Sequence, residues 1–396
     1  MTLLLPFVAL YALMYGAFGV SSPFMPAFFA ARGLTAGELG VLFGAGTAIR
    51  LVSGPLCGRL ADLTGALRGV FAVCALIAAA VALALLGGSG FPALLAISLL
   101  QAAALAPITI LADALTLRAS SEARGGASFE YGWVRGTGSG VFILGTLLSG
   151  QVVGARGLES ILWLQALGLA LAAGVVLRVP APTRPKHGME QGDPPRTGDV
   201  RSLLRIPEFQ RVLMVSTLVL GSHAMHDTFA VIRWSDAGIS PPVVSVLWSE
   251  SVAAEVVVFF LVGPALVARL GARGVMALAA SAGLVRWVVM GSTTAAVALA
   301  LVQPLHGLTF AALHLACMRV IAATVPPGLA ATAQATYALG AAGASAALTL
   351  ASGALYARLG AQAFLVMALL CALAIPLAMA GRARPGHSAT ARPPKT

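Results

Sequence analysis

The chain has 396 residues, 59% of them hydrophobic and only 10% charged, with a mean hydropathy of +0.91. A soluble domain carries about 25% charged residues, so this composition excludes one and points to a protein solvated by lipid. A net charge of +11 would suggest nucleic acid in a soluble protein, but the basic residues gather in alternate polar breaks between apolar runs, and we read no nucleic-acid partner from them.

Each apolar run is long enough for a spanning helix, which needs roughly 20 residues, and none shows the period-two alternation of a barrel strand. Twelve helices are predicted, over residues 3–30, 36–58, 69–87, 92–117, 129–153, 159–178, 209–232, 241–267, 274–291, 295–321, 329–357 and 360–380. The first begins at Met1-Thr2-Leu3-Leu4, which lacks the basic start and small-residue cleavage site of a removable signal. Nineteen of the 25 basic residues fall in alternate loops, in the tails or at their helix ends. The positive-inside rule then puts both termini in the cytoplasm and makes the chain a multi-pass protein of the cell (inner) membrane. The polar stretch 179–208 reads as a cytoplasmic linker between an N-terminal six-helix bundle, 1–178, and a C-terminal one, 209–380, with 381–396 as a cytoplasmic tail. An internal repeat supports two halves. Gly33-Leu34-Thr35 and Val41-Leu42-Phe43 return as Gly238-Ile239-Ser240 and Val246-Leu247-Trp248 at a constant offset of 205, which makes Arg50 and Glu255 equivalent positions.

A charge at the centre of a lone helix costs from about 3 to more than 10 kcal/mol, so each one inside the membrane needs a cavity or a partner. In chain order, helix 1 carries a stripe of Tyr11, Tyr15, Phe18 and Ser22, able to stack on an aromatic ring and to hydrogen-bond. Helix 2 carries Arg50, helix 4 Asp113, and helix 5 Arg135 near Glu130 beside a ridge of Gly132, Gly136 and Gly140 that invites close backbone approach. Helix 7 has His223, His226 and Asp227 on one face, a spacing that would suit a divalent metal, but no further ligand is identifiable and we expect a polar cluster facing a cavity. On helix 8 Trp248 and Glu255 share a face. Glu255 is the first candidate for a proton carrier, the alternative being a static ion pair with Arg286 of helix 9 or with Arg50. Helix 10 presents Gln303, His306, Phe310 and His314 as one polar and aromatic stripe suited to a cavity wall, though either histidine would equally suit a bond to a backbone carbonyl. Cys57, Cys74, Cys317 and Cys371 lack ligand spacing and read as small packing residues. No nucleophile with a base, phosphate loop or metal motif argues for an enzyme, and no cofactor or metal is expected.

An ordered series of stretches resembles the major facilitator superfamily and, within it, the phenylpropionate permease family of proton-coupled uptake systems. They include Gly44-Ala45-Gly46 to Arg50, Asp113-Ala114-Leu115, Tyr131-Gly132 to Arg135, Gly221-Ser222-His223-Ala224, Leu247-Trp248-Ser249 with Ala254-Glu255-Val256, Val285-Arg286-Trp287, and Leu305-His306-Gly307-Leu308-Thr309-Phe310 through His314, with Gln334 and Tyr337. The resemblance implies an all-α membrane protein of twelve helices in two pseudo-symmetric bundles, alternating access, and symport of an aromatic monocarboxylate such as 3-phenylpropionate with a proton. Three places depart from it, the first being the superfamily's loop after helix 2, which survives only as Gly58, Asp62, Gly65 and Arg68, with Leu63, Ala66 and Leu67 where basic residues are usual. Thr309 stands where the lactose permease group has a carboxylate after the helix 10 histidine, and His226-Asp227 replaces a pair of tyrosines.

The expectation is therefore a proton-coupled secondary transporter of a small-molecule substrate, working as a monomer in the bilayer. Glu255, Asp227 and His306 would handle the proton. Tyr11, Tyr15, Arg50, His223, Trp248, Arg286, Gln303 and His314 would bind the substrate, its carboxylate near Arg50 or Arg286 and its ring against Tyr15 and Trp248. Proton-driven efflux of drugs or metabolites, and a non-transporting membrane sensor, are the alternative readings of the same fold.

Overall fold

The computed structural model describes residues 4–122, 129–180 and 197–380, and all regular structure among them is helical. The tail 381–396 and most of the linker lie outside the described residues. In the first half of the chain the helices are α1 (Leu4–Ser21), α2 (Met25–Ala31), α3 (Ala36–Thr64), α4 (Leu67–Gly87), α5 (Phe91–Glu122), α6 (Tyr131–Arg156) and α7 (Ser160–Val176). In the second they are α8 (Thr197–Leu203), α9 (Pro207–Gly221), α10 (His223–Asp236), α11 (Pro241–Val257), α12 (Gly263–Ser292), α13 (Ala296–Val302), α14 (Leu305–Gly307), α15 (Leu313–Thr324), α16 (Ala330–Leu359) and α17 (Ala363–Met379).

Eight described helices or continuous helical runs are long and apolar enough to cross a membrane by length and composition. Two of them, Pro241–Ser292 with 52 residues and Ala330–Met379 with 50, are far longer than a hydrocarbon core of about 30 Å requires. Both turn at a glycine in the left-handed region, Gly271 (φ 67°) and Gly360 (φ 54°), where a side chain would be strained. Local chemistry sets other ends. Thr35 and Glu38 form a reciprocal cap at the start of α3, Thr35 Oγ1 accepting from the Glu38 amide at 3.3 Å and Glu38 Oε2 from the Thr35 amide at 2.8 Å. The predicted first, seventh and tenth helices are each interrupted, at residues 22–24, at Ser222 and at Gln303-Pro304. Leu63, Trp133, Leu261, Val297 and Leu301 are 73–76% exposed, a surface suited to hydrocarbon rather than water.

Burial is organised into three cores. One is built from residues of the first half, including Phe7, Phe71, Leu111 and Leu169, and another from the second half, including Phe209, Val275, Leu313 and Cys317. The third draws on both halves, joining Phe24, Phe28, Phe29 and Leu39 to Phe229, Trp234, Trp248 and Phe364. It lies at one end of the bundle, where α3 meets α16, α6 meets α11 and α2 meets α10. Backbone closeness makes this seal. A Cβ on Gly353 would lie 2.6 Å from the Ala36 carbonyl oxygen and 2.9 Å from Gly40 Cα, and one on Gly150 would collide with Ser245. Phe229 and Tyr356 stack nearby at 4.3 Å. Away from the seal, the positions a Cβ would occupy on Gly132, Gly136, Gly140 and Gly343 meet nothing within 4 Å. The ridge predicted on helix 5 is thus not a packing seam here. The tight contacts of α6 come from Gly150 against Ser245, Gly138 against Tyr15 and Gly145 against Gly16.

Because Gly353 abuts backbone, which cannot rotate away, Gly353→Val should cost roughly 1–3 kcal/mol and lower the thermal midpoint of the detergent-solubilised protein by several degrees. Gly343→Val should leave that midpoint unchanged in the same fluorescence melt.

Candidate functional site

Between the halves, bounded by the seal, lies a cavity of about 950 Å³. The first half contributes Phe18, Ser22, Arg50, Ser98, Gln101, Thr109 and Gln165 to its wall, and the second His223, Asp227, Trp248, His306, Phe310, His314 and Tyr337. Among the described residues the Arg50 side chain forms no hydrogen bond or ion pair, so a bare cation faces the space.

Arg286 is the opposite case. It is completely buried, and among the described residues no carboxylate lies within ion-pair distance of it. Its partners are neutral acceptors: Gln303 Oε1 at 2.8 Å, His306 Nδ1 at 3.0 Å, His226 Nε2 at 3.3 Å and Ser251 Oγ at 3.5 Å, with the Trp287 ring 4.7 Å below the guanidinium carbon. An arginine can only donate, so both imidazole nitrogens facing it must be acceptors. The protons of the two rings are then fixed on the far nitrogens. His306 Nε2–H looks at Glu255 Oε2 at 3.6 Å, and His226 Nδ1–H donates to Asp227 Oδ1 at 3.2 Å. One guanidinium therefore forks into two imidazoles, and each imidazole ends at a carboxylate. Glu255 is one-third exposed and Asp227 well exposed, so protons can reach both ends of the fork.

The surrounding chain holds the fork in place. His223 Nδ1–H donates to the Val219 carbonyl at 3.0 Å, which leaves Nε2 to accept from the Thr309 hydroxyl at 2.9 Å. That hydroxyl has the His306 carbonyl, at 3.1 Å, as its other acceptor. Trp248 stacks on His226 at 5.0 Å, Phe310 stacks on His306 at 5.6 Å, and Trp287 Nε1 donates to Ser222 Oγ at 2.8 Å across the break between α9 and α10. Two π-helical turns, Val258–Val262 after Glu255 and Leu308–Ala312 after His306, sit next to one another, and such turns are frequent at functional sites. Gly307 permits their approach, since a Cβ there would lie 2.6 Å from the Ala254 carbonyl oxygen.

Of the residues singled out from sequence, Arg50, His223, Asp227, Trp248, His306 and His314 meet at the cavity. Glu255 stands beside it, paired with His306 rather than with an arginine. Tyr11, Tyr15, Arg286 and Gln303 are not in the wall. Gln303 and Arg286 form the layer behind it. Tyr11 is fully buried in the first-half core, where its hydroxyl and that of Tyr131 both donate to Asp113 Oδ1. Tyr15 lies under the Arg135 guanidinium at 4.8 Å. Residues missed by sequence reasoning are Ser251, Thr309 and Trp287, which secure the fork, and Ser98, Gln101 and Gln165 on the opposite wall. Lone glutamines within apolar helices were the available signal for the last group.

The sequence matches the family described as MFS_1 like over residues 4–366. It is 34% identical over 362 residues to the probable 3-phenylpropionic acid transporter of Escherichia coli K12, covering 91% of this chain and 93% of that protein. It is 23% identical over 256 residues to the uncharacterized transporter YwbF of Bacillus subtilis 168, covering 64% and 61% respectively. Among solved structures, the nucleoside transporter NupG superposes with a TM-score of 0.79 at 17% identity, covering 96% of this chain and 98% of that one. An inward-facing bacterial homologue of the human lysosomal transporter Spinster superposes with a TM-score of 0.67 at 14% identity, covering 95% of each chain. The long apolar helices, the cavity between the halves and these likenesses agree: the chain belongs to the MFS_1-like family and is a multi-pass membrane transporter of the major facilitator type, not an enzyme.

Proposed function

We propose that this transporter is a proton symporter for a small aromatic monocarboxylate such as 3-phenylpropionate. The observation that carries the reading is the contrast between the two buried-helix arginines. Arg286 is consumed by internal partners, whereas Arg50 faces the cavity with no hydrogen bond or ion pair among the described residues. An unpaired guanidinium beside aromatic walls such as Phe18, Trp248 and Phe310 suits a ring that ends in a carboxylate. The 34% identical relative bears the name of a probable 3-phenylpropionic acid transporter, which is consistent with that chemistry.

The fork supplies a route for coupling. With Glu255 ionised, Arg286, His306 and Glu255 form a line from cation through a neutral, polarised imidazole to anion, and the imidazole passes the attraction on. A proton on Glu255 cancels its charge and slackens the hold on His306, and with it the contact between the two π-helical turns. Asp227 and His226 do the same on the other arm. Substrate on Arg50 and proton on the fork would jointly favour rocking of the halves about the site. Counting Pro241–Ser292 and Ala330–Met379 as two crossings each, and adding α7 and the α9–α10 pair, gives twelve crossings. With both termini cytoplasmic, the seal faces outward and the cavity opens to the cytoplasm of a monomer in the inner membrane.

Purified protein in liposomes should take up labelled 3-phenylpropionate faster when an inward proton gradient is imposed, and Glu255→Gln should abolish the acceleration. Gradient dependence that survives in the mutant would remove Glu255 from the role. Arg50→Gln should weaken the thermal stabilisation given by the acid about 30-fold in apparent affinity, the loss expected for a charge-assisted pair worth about 2 kcal/mol. Unaltered stabilisation would place the carboxylate elsewhere.

A further inference from the structure

The wall opposite the fork holds a cluster of uncharged polar groups, two of whose oxygens are buried without a partner. Ser21 Oγ–H donates to the Ala17 carbonyl at 3.1 Å, so its oxygen is free to accept, and Gln165 Nε2 donates to it at 2.8 Å. The arrangement that keeps the bond from Ser21 to the main chain turns Gln165 Oε1 the other way, where it accepts from Gln101 Nε2 at 3.3 Å. The chain of donors has one consistent direction, and it orients the last amide. Gln101 Oε1 is left as an acceptor with no partner, although Gln101 is only 4% exposed. One helical turn away, Ser98 Oγ is also without a partner at 8% exposure. Both residues are in the cavity wall. Buried polar groups are nearly always satisfied, so an acceptor fixed in this way is a demand for a donor.

Position along the cavity says which part of a ligand would meet it. Helices α3 and α5 lie side by side and run in the same direction, for a Cβ on Gly46 would be 3.6 Å from that of Ala102 and one on Gly54 would be 3.9 Å from that of Ala106. Arg50 on α3 is thus level with the turn of α5 that follows Gln101. At 1.5 Å per residue, Gln101 and Ser98 sit about 5–10 Å nearer the seal than Arg50 does. That is about the length of an aromatic ring carrying a short acid side chain. Leu105, Phe18 and Phe29 line the space and offer the ring apolar surface.

Building on the proposed acid transport, we infer that the preferred substrate carries a hydrogen-bond donor, a ring hydroxyl, at the end remote from its carboxylate, and that Gln101 with Ser98 selects it. The site then reads a hydroxylated aromatic acid from both ends: the carboxylate by Arg50, the hydroxyl by Gln101 Oε1. An acid without the hydroxyl leaves the acceptor unmatched. An ether in its place fills the same space yet cannot donate.

The test is competition against uptake of labelled 3-phenylpropionate in liposomes holding the full chain, using the unlabelled parent acid, its meta- and para-hydroxy derivatives and its para-methoxy derivative. One hydroxy acid should compete about tenfold or more better than the parent, and the methoxy acid should compete worse than either. Within Gln101→Leu the ratio of hydroxy to parent acid should fall to about one, and within Ser98→Ala it should fall part of the way, each variant's own parent-acid uptake serving as the reference for folding. Hydroxy acids no better than the parent in the unaltered protein overturn the inference, as does a full preference retained in both variants. An unaltered protein that takes up no acid at all overturns the reading of acid transport and this inference with it, so the two failures are told apart.

Discussion

A guanidinium with no exposure and, among the described residues, no carboxylate in contact is the constraint around which the second half of the chain is arranged. Removing such a charge from water costs several kcal/mol, and here it is met by neutral acceptors, a π face and two carboxylates one imidazole away. The arrangement has structural consequences beyond charge. Because Arg286 occupies Nδ1 of one histidine and Nε2 of the other, each ring has a single permitted tautomer and a single direction in which its proton can point. The same guanidinium binds Gln303, just before the break in the tenth predicted helix, and lies over Trp287, whose indole holds Ser222 at the break in the seventh. Two helix interruptions and one cavity wall are thereby tied to one side chain.

The environment of this chain was legible from composition, since nothing but lipid suits so few charges, and several of the ionisable residues in apolar helices converge on one cavity. Their division of labour was not legible. Arg50 and Arg286 are alike in sequence, each an arginine in an apolar run, and only the tertiary neighbours show that one is saturated and the other open. Helical spacing grouped Tyr11 with Tyr15, Phe18 and Ser22 correctly as one side of a helix. It could not say that the tyrosine end of that stripe would be claimed by Asp113 and Arg135 while Phe18 and Ser22 reached the cavity. The π-helical turns left no trace in the hydropathy pattern, because inserting one residue into an apolar run changes no composition. The polar wall at Gln101 was overlooked for a related reason. A neutral amide costs less to bury than a charge and draws less notice, yet its unmatched oxygen carries more information about a ligand than the saturated arginine does.

The two ends of the bundle are built on different principles. At the seal, glycines bring main chain onto main chain at Gly40 with Gly353 and main chain onto the Ser245 side chain at Gly150, so the contact is short, specific and intolerant of even a methyl group. At the open end the glycines of α6 face empty space. Gly132, Gly136 and Gly140 make a strip of bare peptide along α6. In the rocking cycle proposed above, whatever comes to rest on that strip would find no rotamers to freeze and no side chains to displace, so shutting the mouth would cost little conformational entropy. A gate of this kind favours speed over tightness: it can close on many surfaces and reopen without unlocking any of them, leaving the choice of when to move to the charges deeper inside.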